Sequence, residues 1–183
     1  MRSDYELYNS FRAGDNAAFD ELVVRYGDDL LLFLNGFTRN LHDAEDLMIE
    51  AFARIMAKRP VIGEDKFKAY LFRTGRNLAI RFRKASRRLE TFSMEELSRE
   101  ISDGTLPDDL IWDNQKNAIL HECLKRIDPQ QREALWLVYY EGMTYAQAAE
   151  VMGVKVKKID KLLTAGKTVM RSELDKEGVT SPY

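Results

Sequence analysis

The side chains best able to do chemistry in this sequence are cations, and they are clustered. Residues 66–88 contain Lys66, Lys68, Arg73, Arg76, Arg81, Arg83, Lys84, Arg87 and Arg88, nine positive charges in 23 residues with no acid among them. A solvated helix face normally mixes signs. A block of one sign points to a polyanion. Tyr70, Phe72 and Phe82 lie in the same stretch and could stack on unpaired bases. Arginine and Asn77 side chains can also read base edges. An RNA or a membrane surface would suit the segment equally well. The plainer reading is a core helix with a charged back, and Phe67, Tyr70, Leu71 and Leu78 have the spacing of such a core face.

A second pattern is TYAQAAEVMGVKVKKIDKLL, residues 144–163. A helix-turn-helix needs a small residue where its helices cross, glycine in the turn, and apolar residues inside the second helix. Ala149, Gly153, Ile159 and Leu162 stand at those places. The second helix then presents Lys155, Lys157, Lys158 and Lys161 to solvent, where a major-groove reader makes its contacts. An ordinary pair of bundle helices with a lysine-rich face is the alternative.

A third pattern, HDAEDLMIEAFARI at residues 42–55, gathers His42, Asp43, Glu45, Asp46 and Glu50. Asp43 and Asp46 lie three apart, but no second carboxylate–histidine motif faces them, so a metal site is not expected. Acids in a helix first turn explain part of the pattern. Acids beside Leu47 and Met48 could also form a protein-docking patch. Nothing resembles a nucleophile with its base, a phosphate-cradling glycine loop or a redox pair. No catalysis and no cofactor are expected.

The elements that must position these residues are helical nearly throughout. The chain has 183 residues, 45% apolar and 32% charged, with 4 Pro and 10 Gly, few for an all-β protein. Its one cysteine, Cys123, and two histidines, His42 and His121, exclude a disulfide framework and a Cys-based zinc cluster. The N-terminus has no apolar signal-peptide core and no run is long enough to span a bilayer, so a soluble cytoplasmic protein is expected. Apolar spacing predicts a helix capped by Asp15 with Phe19, Leu22, Tyr26, Leu30, Phe33 and Phe37 on one face. A second is predicted over 42–58, capped by Asp43, with Leu47, Ile49 or Met48, Phe52, Ile55 and Met56 inside. A third runs over 66–88. The apolar period weakens over about 89–107, and residues 93–113 carry a net charge of −6, which predicts an acidic linker. A helix over 110–127, one opened by Asp128-Pro129, a short one capped by Thr144 and a last one over 155–174 follow. The fold class is all-α: two small helical domains over 1–88 and 111–176, an acidic linker over 89–110, and a tail over 177–183.

At these residues the chain resembles a bacterial RNA polymerase sigma factor of the extracytoplasmic-function (ECF) type, the minimal two-domain group of the sigma-70 family. The match covers residues 9–174. FDELVVRYGDDLLLFL with DAEDLMIEAFARI is similar to the helices of sigma domain 2, and AYLFRTGRNLAIRFRKASRR to its promoter-melting part. IDPQQREALWLVYYEGMTYAQAAEVMGV is similar to domain 4. The resemblance implies that Asp43, Glu45, Asp46, Leu47 and Glu50 bind the β′ clamp helices of core RNA polymerase. It implies that Arg73, Arg76, Asn77, Arg81, Arg83, Lys84, Arg87 and Arg88 engage the promoter −10 element. The helix-turn-helix lysines would engage the −35 element. It implies further contacts with the polymerase β flap and an anti-sigma factor, and a linker that mimics phosphate in a basic channel. The chain departs from the family pattern at Ile49, Tyr70, Arg81 and Lys158-Ile159, and Leu162, Thr164 and Ala165 thin the positive charge of the last helix. Two other functions fit parts of the sequence: a sigma mimic that sequesters an anti-sigma factor, and a plain helix-turn-helix regulator.

Overall fold

The computed structural model describes residues 1–92 and 126–176, an all-α arrangement that falls into two compact units, Met1–Leu106 and Pro107–Tyr183. The first contains α1 (Asp4–Arg12), α2 (Asn16–Thr38), α3 (Leu41–Lys58) and α4 (Phe67–Phe92).

Apolar spacing gave no hint of α1, yet its start is written in Ser3-x-x-Glu6. The Ser3 hydroxyl accepts from the Glu6 amide, and the Glu6 carboxylate accepts from the Ser3 amide at 2.7 Å. This reciprocal cap satisfies two otherwise orphaned donors. It also holds the Glu6 carboxyl below its ordinary pKa, the Ser3 backbone hydrogen bond being the main cause. An ionic knot joins α1 to α2: Arg25 reaches Asp4 at 2.5 Å, and the Tyr26 hydroxyl donates to the other Asp4 oxygen.

Asp15 caps α2 by accepting from the Ala18 amide, and the helix runs unbroken through Gly27 and Gly36. The cap of α3 differs from the expectation. Asn40, not Asp43, accepts from the Asp43 amide at 3.1 Å, and Asp43 falls in the first turn. The turn into α3 requires Arg39 at φ +56°, which leaves Asn40 extended and free to cap. Arg59 closes α3 at φ +43° and lays its guanidinium over the Phe11 ring, 4.6 Å from the centroid.

The core lies between α2, α3 and α4, with α1 across one end. Phe11 and Phe19 meet at 4.5 Å between centroids, and Phe33 and Phe72 at 5.2 Å. Gly75 sets the closest crossing of α4 on α2. A Cβ there would stand 3.1 Å from Leu30 Cδ1 and 3.3 Å from Leu34 Cδ2. Tyr8 fastens α1 to the turn before α4: its hydroxyl donates to the Pro60 carbonyl at 2.9 Å, and its ring packs on Phe67 at 5.2 Å. Burial drives the Tyr8 phenol up to about 12.

The second unit contains α5 (Pro129–Leu135), a π-helical turn (Trp136–Tyr140), α6 (Tyr145–Met152) and α7 (Val156–Lys176). Asp128 caps α5 and Pro129 takes its first position, as the sequence predicts. The π turn widens the helix so that Leu137 is buried while Tyr139 and Tyr140 are exposed. Tyr139 lies beneath the Lys167 ammonium, 4.7 Å from the ring centroid.

Helix α4 continues to Phe92, past the expected boundary at 88. The rest of the linker, the helix expected over 110–127 apart from its last two residues, and the tail over 177–183 lie outside the described residues. No described helix is long and apolar enough to cross a membrane.

Two substitutions test this packing. Gly75→Val pushes α4 off α2 and costs about 1–3 kcal/mol, the usual penalty for overfilling a tight core; a thermal melt unchanged from the parent would refute the crossing. Tyr8→Phe removes one hydrogen bond, at a cost of about 1 kcal/mol near neutral pH. Because the folded phenol titrates near 12 and a free one near 10, its contribution is full below pH 10 and is lost as pH rises towards 12. The stability gap between parent and variant therefore closes over that window in urea melts at stepped pH.

Candidate nucleic-acid interface

Helix α4 buries Ala69, Leu71, Phe72, Leu78 and Ala79. What remains outside is the basic set. Arg73, Asn77, Arg81, Arg83 and Lys84 are exposed, and Arg76 is half-buried. Arg73, Asn77, Arg81 and Lys84 follow one another at steps of three and four, so they share a face. Arg87 and Arg88 continue the helix, and their side chains lie outside the described residues. One expected stacking residue is corrected: Phe72 is fully buried and packs on Phe33. It sits three residues from both Ala69 and Gly75 and shares their inward face. Tyr70 and Phe82 are half-exposed and stay available to a base.

Helix α3 presents a different surface. Glu45, Asp46 and Glu50 are exposed and Asp43 is half-buried, while Leu47 is buried at 7% exposure. Leu47 therefore cannot be a docking residue. Three residues after Ala44 and four before Ala51, it belongs to their core stripe. The exposed apolar residues are instead Ile49 at 56% and Met56 at 42%. The spacing predicts Met56 inside, and Ile49 only as the alternative to Met48. Ile49 lies two residues, about 200°, round the helix from Leu47, and that angle alone would have placed it outward. Glu50 pairs with Arg54 at 2.5 Å within the helix. Among the described residues no group of three or more His, Cys, Asp and Glu could hold a metal ion.

In the second unit the helix-turn-helix has the expected anatomy. Thr144 and Gln147 form a reciprocal cap on α6. Gly153 adopts φ +66° at its end, a conformation that favours glycine. Ala149, Ile159, Leu162 and Leu163 are buried between α6 and α7. Gly166 lets α7 approach α5, a Cβ there standing 3.0 Å from Leu135 Cδ1. Lys155, Lys157, Lys158 and Lys161 are all exposed. Lys155 lies in the turn just before α7, and the other three lie in its first two turns. Further along, Lys167 is held above the ordinary lysine pKa, chiefly by its hydrogen bond to Tyr139.

Each unit thus carries a rigid helix with an outward cationic face, the requirement for holding a phosphate backbone. Comparison with known proteins gives the same division. The family model described as Sigma-70 region 2 matches residues 22–89, and that described as Sigma-70, region 4 matches residues 117–170. The ECF RNA polymerase sigma factor BldN of Streptomyces coelicolor is 32% identical over 81% of this chain and 57% of its own length. The ECF RNA polymerase sigma factor SigE of Mycolicibacterium smegmatis is 29% identical over 89% of this chain and 65% of its own length. The chain therefore spans about three-fifths of the length of these two relatives. Among solved structures, CnrH in complex with the cytosolic domain of CnrY superposes with a TM-score of 0.67 at 24% identity, covering 96% of this chain and 99% of that one.

The lysines of α7 make a measurable prediction. Binding of the chain to duplex DNA weakens with salt, and Lys157→Ala and Lys161→Ala each lower the slope of log affinity against log salt by roughly one. Fluorescence anisotropy at stepped potassium concentrations reads this slope. A slope unmoved by the double substitution would exclude α7 as a phosphate contact.

Proposed function

The chain belongs to the sigma-70 family, as a member of the ECF type, and on that premise we propose that it is a promoter-specificity subunit of RNA polymerase. It binds core polymerase, directs it to a set of promoters, and performs no catalysis of its own. The outward face of α4 carries this reading: a helix that buries one side in the core and offers arginine, lysine and asparagine on the other. That face suits the −10 element. Its cations hold the phosphates, and Asn77 with the half-exposed Tyr70 and Phe82 can meet bases once they leave the stack. Unstacking costs a few kcal/mol, which contacts to the extruded base offset. The helix-turn-helix of the second unit suits duplex DNA further upstream, the −35 element.

Polymerase docking is assigned to the outward side of α3. Ile49 and Met56 supply the apolar contact, with Glu45 and Asp46 beside them for a basic partner surface. The β′ clamp helices are the partner that the family resemblance implies for this side, and the β flap for the second unit. CnrH is solved with the cytosolic domain of another protein, CnrY. An anti-sigma factor, the partner the family resemblance implies, is a fitting regulator here. The place of action is the cytoplasm. A sigma mimic that never reads DNA is disfavoured by the cationic face of α4, for which a protein decoy has no use.

Run-off transcription tests the proposal. Core polymerase with this chain yields discrete transcripts from a promoter library, and permanganate detects opened thymines near the −10 element. Arg73→Ala with Asn77→Ala abolishes the opening while leaving the unfolding free energy within about 0.5 kcal/mol of the parent. Ile49→Lys with Asp46→Lys weakens holoenzyme formation at least tenfold with the fold intact. Opening and promoter choice unchanged in the first variant would overturn the −10 assignment. Full polymerase affinity in the second would overturn the docking face.

A further inference from the structure

The outward face of α7 is not uniformly basic. On a helix of 100° per residue, the direction opposite buried Ile159, Leu162, Leu163 and Gly166 is occupied by Lys157, Lys161, Thr164 and Thr168, and Asp160 lies on its edge. Asp160 is exposed and falls in the second turn, the part of a recognition helix that reaches base edges. Lys157 stands three residues before it, at a spacing that permits an ion pair. Yet among the described residues the Asp160 carboxylate accepts no hydrogen bond and forms no close ion pair, its charge being felt only more weakly at Lys167. The neighbouring threonines offer it nothing. The Thr164 hydroxyl donates to the Asp160 backbone carbonyl at 2.9 Å, and that of Thr168 to the Thr164 carbonyl at 3.0 Å. An acceptor-only group thus stands ready on a surface otherwise suited to phosphates.

From this placement we infer that Asp160 is a specificity-determining residue of the second unit and reads a cytosine in the major groove. The inference rests on the upstream duplex-reading role proposed above. A carboxylate inside the groove is repelled by both backbones and needs a donor. Major-groove edges offer only two, the exocyclic amines of cytosine and adenine. Adenine places its N7 acceptor beside the amine, against a second carboxylate oxygen. Guanine offers two acceptors and thymine an acceptor and a methyl group. Cytosine alone presents its amine without a neighbouring acceptor on the same base. The flanking Lys157 and Lys161 hold the phosphates on either side and keep the approach favourable despite the negative charge. Thr164 and Thr168 can still accept through their oxygens, and the acid supplies the one strong base-directed acceptor.

The test uses the full chain with core polymerase and duplex promoter libraries randomised across the upstream element, sorted by binding and sequenced. The parent favours cytosine at one base pair by about tenfold. Asp160→Ala removes that preference, leaves the preferences at other positions in place, and raises binding to non-cognate duplexes. Asp160→Asn shifts the same position towards adenine, because an amide pairs with the adenine amine and N7 together. Circular dichroism of both variants matches the parent, since the side chain is exposed and unpaired. If Asp160→Ala raises binding to every sequence alike and every base preference survives, the acid only repels phosphate and the inference fails alone. If the parent shows no upstream preference at any position, the −35 reading itself falls, and this inference with it.

Discussion

The crossing of α4 on α2 at Gly75 is the constraint from which the working surface of the first unit follows. With Leu30 Cδ1 only 3.1 Å from where a Cβ would stand, α4 can neither rise off α2 nor roll about its own axis without loss of contact. That fixes its rotation. Leu71, Phe72 and Leu78 are then inside, each contributing roughly 1.5–3 kcal/mol by burial. Arg73, Asn77, Arg81 and Lys84 must be outside. The chemistry of the outer face is set by cations that favour water, but its aim is set by the apolar face that cannot leave the core. Tyr8 and Arg59 support the same geometry from the other end. They tie α1 to the turn that leads into Phe67 through the Pro60 carbonyl and the Phe11 ring.

The second unit meets the same demand with two glycines of different kinds. Gly153 supplies a left-handed backbone that turns α6 into α7. Gly166 supplies room, letting α7 lie close to Leu135 and Gln131 of α5. Between them they set both the turn into α7 and how closely it packs on α5. The π turn before Gly142 adds a third adjustment. It closes on the Glu141 carboxylate, which accepts from the Trp136 indole at 2.9 Å while Trp136 stacks on Tyr140 at 4.2 Å.

Most of this was legible in the sequence because helical spacing, caps and charge blocks are local signals. Asp15, Asp128 and Thr144 cap as read, and Gly153 turns as read. The misreadings on α3 and α4 share one origin, residues placed by their sequence neighbours rather than by their angle on the helix. Phe72 was credited to an exposed face because it sits among arginines, whereas its angle on the helix puts it with Ala69 and Gly75. Apolar spacing puts Leu47 inside, as found, and it is the docking reading that draws it to a surface; Met56, and Ile49 as the alternative to Met48, are read as inside, and the helical angle turns both outward. The first helix escaped because its apolar residues Leu7, Tyr8 and Phe11 are few and its cap precedes them. Asn40 was missed as a cap because the left-handed Arg39 before it has no sequence signature. The extent of α4 past residue 88 ran against a weakening apolar period that had suggested a linker.

The near-zero total charge conceals why the surfaces can act separately. In the first unit Arg25 of α2 pairs with Asp4 of α1 and with Glu21 of its own helix, Arg2 pairs with Glu21, and Glu50 pairs with Arg54 within α3. Glu45 and Asp46 make no ion pair among the described residues. The packing turns the inner sides of α3 and α4 towards a shared apolar core, so their charged sides look outward from it. At physiological ionic strength exposed charges are screened over about 8 Å. An acidic face and a basic face that look outward from different helices therefore keep their own fields beyond that distance. A net charge of −2 summed over 183 residues describes neither. Segregation by packing lets one small chain carry both an acidic, apolar surface and a cationic one.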